Sequence, residues 1–162
     1  MIRIVPFAAQ HTEGVGTLIV SIQRDEFGFP ITLEEQPDLQ VIPAYYQRGA
    51  GNFWVALADE KVIGTVALLD IGNQQGALRK MFVHADYRGR EHGVSARLVE
   101  TLFEWARGHD VKEVFLGTTE KFRAAHRFYE RNGFQLIASE DLPLAFPKMA
   151  VDTRFYCRAL GG

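Results

Sequence analysis

The stretch that decides the fold reads Tyr87-Arg88-Gly89-Arg90-Glu91-His92-Gly93-Val94. It follows the apolar run 81–83 and precedes a segment with the apolar spacing of a helix. A strand that enters a glycine-bearing turn and then a helix directs free backbone N–H groups at one point, in front of the positive end of the helix dipole. We therefore expect an anion site that holds a phosphorylated cofactor. The pattern is neither a Walker loop nor a dinucleotide-binding fingerprint.

A second block, nearer the C-terminus, reads Ala125-His126-Arg127-Phe128-Tyr129-Glu130-Arg131-Asn132-Gly133-Phe134. Together the two blocks resemble the GCN5-related N-acetyltransferase (GNAT) family. Its pyrophosphate loop reads Q/R-x-x-G-x-G/A after a hydrophobic strand, and its later helix and turn read A-x-x-F-Y-x-x-x-G-F. The resemblance covers residues 52–137. Two positions depart from the family pattern: Glu91 stands where the central glycine is usual, and Phe122 stands where many members carry an asparagine.

The composition is that of a globular chain. With 162 residues, 47% hydrophobic and 23% charged, the chain suits a single domain over 1–162 with a sizeable core. A formal net charge of −2 gives no general attraction to nucleic acid or to a membrane surface, so neither is an expected partner. Cys157 is the only cysteine. Because the start of the chain lacks a signal peptide and no apolar stretch approaches a membrane span, we expect a cytoplasmic protein.

Hydrophobic periodicity predicts alternating strands and helices. The predicted strands are 2–7, 53–58, 61–69, 77–83, 111–116, 134–138 and 151–158, and the predicted helices are 11–27, 39–46, 91–107 and 123–132. This order is what the resemblance implies: an α/β (α+β) fold with a mixed, mainly antiparallel central sheet flanked by helices, the GNAT-like acyl-CoA acyltransferase fold. The alternation in 151–158 predicts one buried and one wet face. An exposed C-terminal strand makes a homodimer a possible assembly.

The resemblance implies a site for acetyl-CoA. In the family, two neighbouring parallel strands splay apart and the pantetheine arm enters the gap; here those strands are 77–83 and 111–116. Backbone groups of the first strand then hydrogen-bond the pantetheine amides as an added strand would. The implied cofactor-binding residues are Met81, Phe82, Val83, Arg88, Gly89, Arg90, Glu91, His92, Gly93, Val94, Thr118, Arg123, Phe128 and Tyr129. No metal site is expected, because no pair of His, Asp or Glu residues has a recognisable ligand spacing.

Attack of an amine on a thioester requires three catalytic roles. The site must take a proton from the ammonium, stabilise the oxyanion and supply a proton to the leaving thiolate. For the thiolate, Tyr129 matches the tyrosine that many family members use as general acid or as the donor that positions the sulfur. The plainer interpretation is that Tyr129 only packs beside Phe128. A main-chain N–H around 81–83 is expected to polarise the carbonyl.

The general base is the least determined of these roles. Some family members carry a glutamate where this chain has Ala77. Glu26, Glu34 and Glu35 lie in the region that often closes over the acceptor in this family, and each is a candidate that acts directly or through water. The alternative is that these residues form a solvated acidic loop.

The acceptor is expected to be a primary amine of a small molecule or peptide. Acidic residues occur between 25 and 38 without an intervening Lys or Arg, which favours a cationic acceptor. Aromatic residues that can wall a cation are Phe27, Phe29, Tyr45, Tyr46 and Trp54. Polyamines, amino-acid derivatives, aminoglycosides and peptide amines all stay open.

The function implied by the resemblance is therefore acetyl transfer from acetyl-CoA to a primary amine by direct attack in a ternary complex. A rival hypothesis is a catalytically weak acyl-CoA-binding sensor or protein-interaction module on the same fold, which Glu91 and Ala77 favour. A third interpretation, an unrelated α/β domain with chance motifs, predicts no cofactor binding at all.

Overall fold

The structure, a computed structural model, describes residues 1–89, 93–120 and 122–161. Its strands are β1 (Ile2–Pro6), β2 (Asn52–Ala58), β3 (Lys61–Gly72), β4 (Gln75–Val83), β5 (Glu113–Thr118), β6 (Gln135–Ile137) and β7 (Arg154–Ala159). They form a seven-stranded sheet in the order β1-β2-β3-β4-β5-β7-β6. Only β4 and β5 pair in parallel, and the other neighbours are antiparallel. The predicted mixed, mainly antiparallel sheet is confirmed.

Helices lie along the chain where the periodicity places them. They are α1 (Thr12–Ser21), which continues as a π-helical turn (Ile22–Glu26), α2 (Pro37–Gln40), α3 (Ile42–Tyr45), α4 (Val94–Gly108) and α5 (Arg123–Arg131). The predicted helix 39–46 is divided at Val41, and Pro43 sits in the first turn of α3, where a missing N–H is tolerated. In the described parts of the chain, no helix has the length and apolar character needed to cross a bilayer.

The sheet separates two apolar cores. The α4-side core contains Leu98 and Leu102, which are fully buried one helical turn apart. The α1-side core contains Val15 and Ile19 at the same spacing. Each fully buried aliphatic side chain of this size contributes about 1.5–3 kcal/mol relative to exposure. Burial on both sides therefore holds the sheet between its helices and fixes the positions of the strand ends.

The two parallel strands diverge after a short paired segment. Residues 75–77 of β4 pair with 113–115 of β5. Beyond these pairs β4 continues to Val83 and β5 to Thr118 without further pairing between these described strands. The predicted splaying is confirmed, and it opens a cleft at the carboxyl ends of both strands.

The C-terminal strand differs from the prediction. β7 lies between β5 and β6, so it is not an edge of the sheet. It begins at Arg154 rather than at 151. Both of its faces are covered, because Tyr156 belongs to the α4-side core while Phe155 packs with Phe146 in a third cluster. The expectation of one wet face was wrong, and the prediction of a homodimer loses the exposed strand on which it rested.

Candidate active site

The glycine-bearing loop joins β4 to α4. Gly89 has φ 100° and Gly93 has φ 61°, conformations that glycine adopts without the penalty of a Cβ. The Gly93 N–H donates to the Gly89 carbonyl at 3.3 Å, so the loop closes onto the start of the helix. The first-turn N–H groups of the 15-residue α4 have no intrahelical acceptors and favour an anion. The predicted residues Arg90, Glu91 and His92 lie outside the described residues.

Arg88 extends from this loop to the end of α1. Its Nη1 lies 2.6 Å from Glu26 Oε1, and its Nη2 donates to Glu26 Oε2 at 2.9 Å. Its Nε donates to the Val83 carbonyl at 2.8 Å. A bidentate pair of this kind is geometrically specific, although the side chains remain 41% and 32% exposed. Two predicted site residues thus form an ion pair with each other. Glu26 engages the Arg88 guanidinium, which was expected to bind the cofactor.

A β-bulge interrupts β4 beside the cleft. Thr65 of β3 pairs with Phe82, whereas Ala67 pairs with Arg79, so the register shifts between them. Lys80 has φ 54°, and its carbonyl accepts a hydrogen bond from the buried Thr65 Oγ1 at 2.7 Å. Because a bulge leaves one residue unpaired in the β3–β4 ladder and bends the strand locally, the main-chain groups around Lys80 depart from regular strand geometry at this point of β4.

The bulge also decides which face each side chain occupies. By strict alternation Lys80 would share the α4 side of the sheet with Leu78. Instead Arg79 and Lys80 both make their contacts on the α1 side, while Met81 and Val83 belong to the α4-side core. Two consecutive cations therefore lie on one face of the strand.

A buried polar cluster surrounds Lys80, and the sequence interpretation missed it. The Lys80 ammonium donates to Gln36 Oε1 at 2.9 Å and lies 3.5 Å from Asp38 Oδ2. Asp38 in turn accepts a hydrogen bond from the Tyr46 hydroxyl at 2.6 Å. Burial lowers the pKa of Lys80, and the nearby Asp38 opposes that shift. The available signal was the pair of cations inside the otherwise apolar segment 77–83.

Tyr129 lies on α5 with its ring in the α4-side core. The rings of Phe128, Phe134 and Tyr156 lie at centroid distances of 5.6, 5.6 and 6.1 Å. Burial raises the pKa of the Tyr129 hydroxyl above its usual value, so the group is protonated at neutral pH and is a weaker acid than an exposed tyrosine. Within the described ranges no hydrogen bond reaches this hydroxyl, and it is not a fully buried group left unsatisfied, so it keeps some access to solvent.

The acids between 25 and 38 do not converge on a shared site. Four of them have separate partners: Asp25 with Ser21, Glu26 with Arg88, Glu35 with Thr32, and Asp38 with Lys80 and Tyr46. Glu34 is exposed. The charges nearest the bulge are those of Arg79 and Lys80. The reason for expecting a cationic acceptor is therefore not supported by the arrangement of these acids.

Aromatic residues from two elements meet across the cleft. Phe27 and Phe29, which follow α1, lie 4.3 and 6.2 Å from the ring of Phe122. Phe122 is the N-cap of α5 and provides no side-chain cap, whereas an asparagine there would provide one. Trp54 was predicted to line the acceptor site, but it is buried on the α4 side, 5.9 Å from the ring of Trp105.

The remaining predicted residues border the cleft on the β5 and α5 side. Thr118 ends β5 and pairs with β7. Phe128 packs against the α4-side core, and Arg123 is exposed at the start of α5. Val94 begins α4 with a fully buried side chain, so only its backbone can contribute to the loop. In the described residues, no group of three or more His, Cys, Asp or Glu side chains is arranged to hold a metal ion.

Comparison with known families and structures agrees with this geometry. The family model described as "Acetyltransferase (GNAT) family" matches residues 17–134. An acetyltransferase of the GNAT family from Staphylococcus aureus Mu50 is 36% identical, with a TM-score of 0.94, over 99% of this chain and 100% of its own. N-acetylglutamate synthase from Neisseria gonorrhoeae, complexed with coenzyme A and N-acetyl-glutamate, is 16% identical with a TM-score of 0.76 and shares the fold over 100% of this chain and 36% of its own.

Curated relatives extend the comparison to longer proteins. N-acetylaspartate synthetase from Xenopus tropicalis is 37% identical over 102 residues, which are 60% of this chain and 36% of that protein. A probable N-acetyltransferase family 8 member 5 from Mus musculus is 34% identical over 105 residues, 62% of this chain and 45% of its own. The chain thus matches less than half the length of either relative.

Proposed function

Because the chain belongs to the GNAT family of acetyltransferases, we propose that it transfers the acetyl group of acetyl-CoA to a primary amine of a small molecule or peptide. The observation that carries this proposal is the cleft between β4 and β5, which opens beside a bulge and below a glycine-bearing loop. The names of the curated relatives, N-acetylaspartate synthetase and N-acetyltransferase, support transfer to an amine.

The residues around the cleft fit an acyl-CoA. Beyond Ala77 no described residue of β5 pairs with the backbone of β4, so amide groups of a pantetheine arm can pair with it as an added strand. At Gly89 no described atom lies within 4 Å of the position that a Cβ would take, which lets a phosphate approach the main chain. Arg88 offers a planar donor fork of the kind that suits phosphate.

In the proposed reaction a bond forms between the amine nitrogen and the thioester carbonyl carbon, and the carbon–sulfur bond breaks. Acetyl-CoA supplies the activated acetyl group. A main-chain N–H at the bulge of Lys80 donates to the carbonyl oxygen as negative charge develops there. The Tyr129 hydroxyl gives its proton to the sulfur and recovers one from solvent. The amine proton passes to water or to a carboxylate, for which Glu34, or Glu26 once it has left Arg88, is the candidate.

A catalytically weak acyl-CoA-binding sensor or interaction module is the second candidate. The Glu26–Arg88 pair favours it, because the carboxylate must give way before pyrophosphate can use this arginine. Ala77, at the position where some family members carry a glutamate, favours it as well.

An acceptor screen separates the two candidates. Release of the CoA thiol from acetyl-CoA is followed with amino acids, polyamines, aminoglycosides and lysine peptides, and each product is identified by mass spectrometry. The enzyme proposal predicts steady CoA release and an acetylated product with at least one class. Binding of acetyl-CoA without acetylation of any amine would instead establish the sensor.

A further inference from the structure

Arg79 and Lys80 form a pair of cations on the α1 side of the sheet. Consecutive strand residues normally point to opposite faces, and here the bulge at Lys80 brings both to one face. The bulge is supported by the buried Thr65 hydroxyl, which donates to the Lys80 carbonyl. The placement of two like charges side by side is therefore built into the strand and does not depend on flexible surface side chains.

Arg79 has more hydrogen-bond donors than the protein uses. A guanidinium carries five N–H donors. Among the described residues, Nη1 donates to the Tyr45 hydroxyl at 3.1 Å, and Nη2 donates only to the soft Met149 Sδ at 3.7 Å. The guanidinium lies 5.9 Å from the ring centroids of both Tyr45 and Tyr46, near the outer limit of a cation–π contact. Among the described residues, no carboxylate forms an ion pair with it.

The acids nearby are committed to other groups. Asp38 accepts from the Tyr46 hydroxyl and pairs with Lys80. The charge of Arg79 acts on Asp152, but that carboxylate accepts a hydrogen bond from the Met149 N–H at 2.9 Å. Gln36 presents its carbonyl oxygen to Lys80, so Gln36 and Asp38 both favour the ammonium form, while burial and the neighbouring Arg79 lower the pKa of Lys80.

The cation pair lies next to the proposed site of acetyl transfer. Strand residues rise about 3.3 Å each, so Arg79 lies within about 7 Å of Met81 along β4. A single small molecule spans that distance. An acceptor whose amine reaches the bulge can therefore place a second polar group at the guanidinium.

We propose that Arg79, supported by Lys80, binds a carboxylate of the acceptor, so that the substrate is an amine that also carries a carboxylate, as in an amino acid. A carboxylate matches the planar fork of an arginine in two parallel hydrogen bonds. The proposal rests on the proposed acetyl transfer and narrows its acceptor class. It narrows the cationic primary amine that the acidic residues of the sequence favoured to an amine that also carries a carboxylate.

The test compares amino acids with their carboxamides, which keep the amine and lose the charge. Wild-type protein is expected to favour the amino acid by about 100-fold in kcat/KM. In Arg79→Met and in Lys80→Met, the ratio of kcat/KM for amino acid to that for carboxamide should fall toward one, because KM for the amino acid rises. The affinity for acetyl-CoA should stay unchanged. Lys80→Arg should keep most of the preference. Lys61→Met, at the exposed start of β3, is the matched control and should behave as wild type.

A binding measurement makes the test independent of turnover. Calorimetry with CoA-saturated protein should detect the amino acid but not its carboxamide, and Arg79→Met should abolish that binding while its thermal unfolding with CoA stays like wild type. Equal rates with amino acid and carboxamide in the wild type would overturn the carboxylate site and leave acetyl transfer standing. If no amine is acetylated, the proposal of acetyl transfer fails. In that case, amino-acid binding that is present in the wild type and lost in Arg79→Met would still support the carboxylate site. If the wild type binds no amino acid, the carboxylate site is overturned.

Discussion

At the scale of a single residue, Tyr129 is the side chain that we propose as the proton donor to the sulfur. Tyr129→Phe removes a hydroxyl that has no partner among the described residues and keeps a buried ring, so stability should change little. Since positioned general acids contribute at least about 100-fold, kcat should fall by about that factor with KM for the amine nearly constant. Steady-state kinetics at saturating acetyl-CoA measures this change.

Tyr156→Phe is the matched control for that substitution. Its hydroxyl donates to Glu130 at 2.6 Å within the same aromatic cluster. Its loss should lower the melting temperature slightly and leave kcat unchanged. Full kcat in Tyr129→Phe would show that the tyrosine only packs in the core.

Cys157 gives a pH-dependent prediction at the same scale. Burial raises the pKa of its thiol to about 11, so the folded protein keeps a proton that the unfolded chain loses near its lower, ordinary value. The resulting contribution to stability is complete below the ordinary pKa and is lost as pH rises through about 11. Because the thiolate is the nucleophile, alkylation of the native protein should have its midpoint near this raised pKa.

The alkylation rate of denatured protein supplies the comparison. The denatured chain should react with a midpoint near the usual thiol pKa of about 8.5. Identical pH profiles for native and denatured protein would contradict a thiol pKa raised by the partial burial of Cys157.

At the scale of elements, the bulge in β4 depends on Thr65. Thr65→Val keeps the side-chain shape and removes the donor to the Lys80 carbonyl. A buried acceptor left without its partner costs about 1–3 kcal/mol, so the free energy of unfolding in urea should fall by that amount. KM for the acceptor should rise as well, since Lys80 and Arg79 share the bulge.

Thr101→Val is the control for this prediction, because Thr101 makes a bond of the same length, 2.7 Å, to the Arg97 carbonyl on the exposed side of α4. Its unfolding free energy should stay within about 0.5 kcal/mol of wild type. If both variants lose equal stability, the bulge does not depend on the threonine hydroxyl.

The contact between the end of α1 and the glycine-bearing loop predicts a substitution that improves binding, in contrast to the substitutions above. Glu26→Gln removes the negative charge that holds Arg88 and that pyrophosphate must displace. CoA affinity should therefore rise several-fold, as measured by calorimetry, with a larger effect at low salt. Glu34→Gln, at an exposed position, should leave the affinity unchanged. Unaltered CoA affinity together with a large loss of kcat would identify Glu26 as the general base instead.

The elements themselves could largely be predicted from the sequence. Apolar spacing located α1 and α4, and the second sequence block located α5 together with Gly133, which follows it in the left-handed conformation. The position of β7 between β5 and β6 was not predictable, because the order of strands in a sheet is decided by long-range pairing. The π-helical turn 22–26 was missed because its side chains continue the helical pattern of α1.

The candidate site could be predicted only where its residues belong to a sequence motif or to a strand or helix with regular hydrophobic periodicity. The loop glycines and Tyr129 stand in recognisable blocks, whereas the bulge has no signature in side-chain alternation. Lys80 was therefore overlooked, and alternation would have placed it on the wrong face. Trp54 was misplaced for a related reason, since an aromatic residue in a strand buried on both sides can belong to either core.

At the scale of the whole molecule, two cores hold the sheet from both sides, and the cleft between β4 and β5 lies between them. The α4-side core supports Tyr129 and the α4 end of the loop, while the α1-side core supports the elements that carry Gln36 and Asp38 to Lys80. The cofactor and the acceptor are thus expected to approach the carboxyl end of β4, where it diverges from β5, from opposite sides of the sheet. They are expected to meet at the bulge.

The most direct measurement is thermal unfolding of the wild-type protein with acetyl-CoA, with CoA, and with ATP and NAD as controls. Occupation of the cleft at about 100 times the dissociation constant should stabilise the folded state by about 2.7 kcal/mol, so the melting temperature should rise with acetyl-CoA and CoA and stay constant with ATP and NAD. No shift with acetyl-CoA or CoA, or an equal shift with all four ligands, would contradict an acetyl-CoA site between β4 and β5.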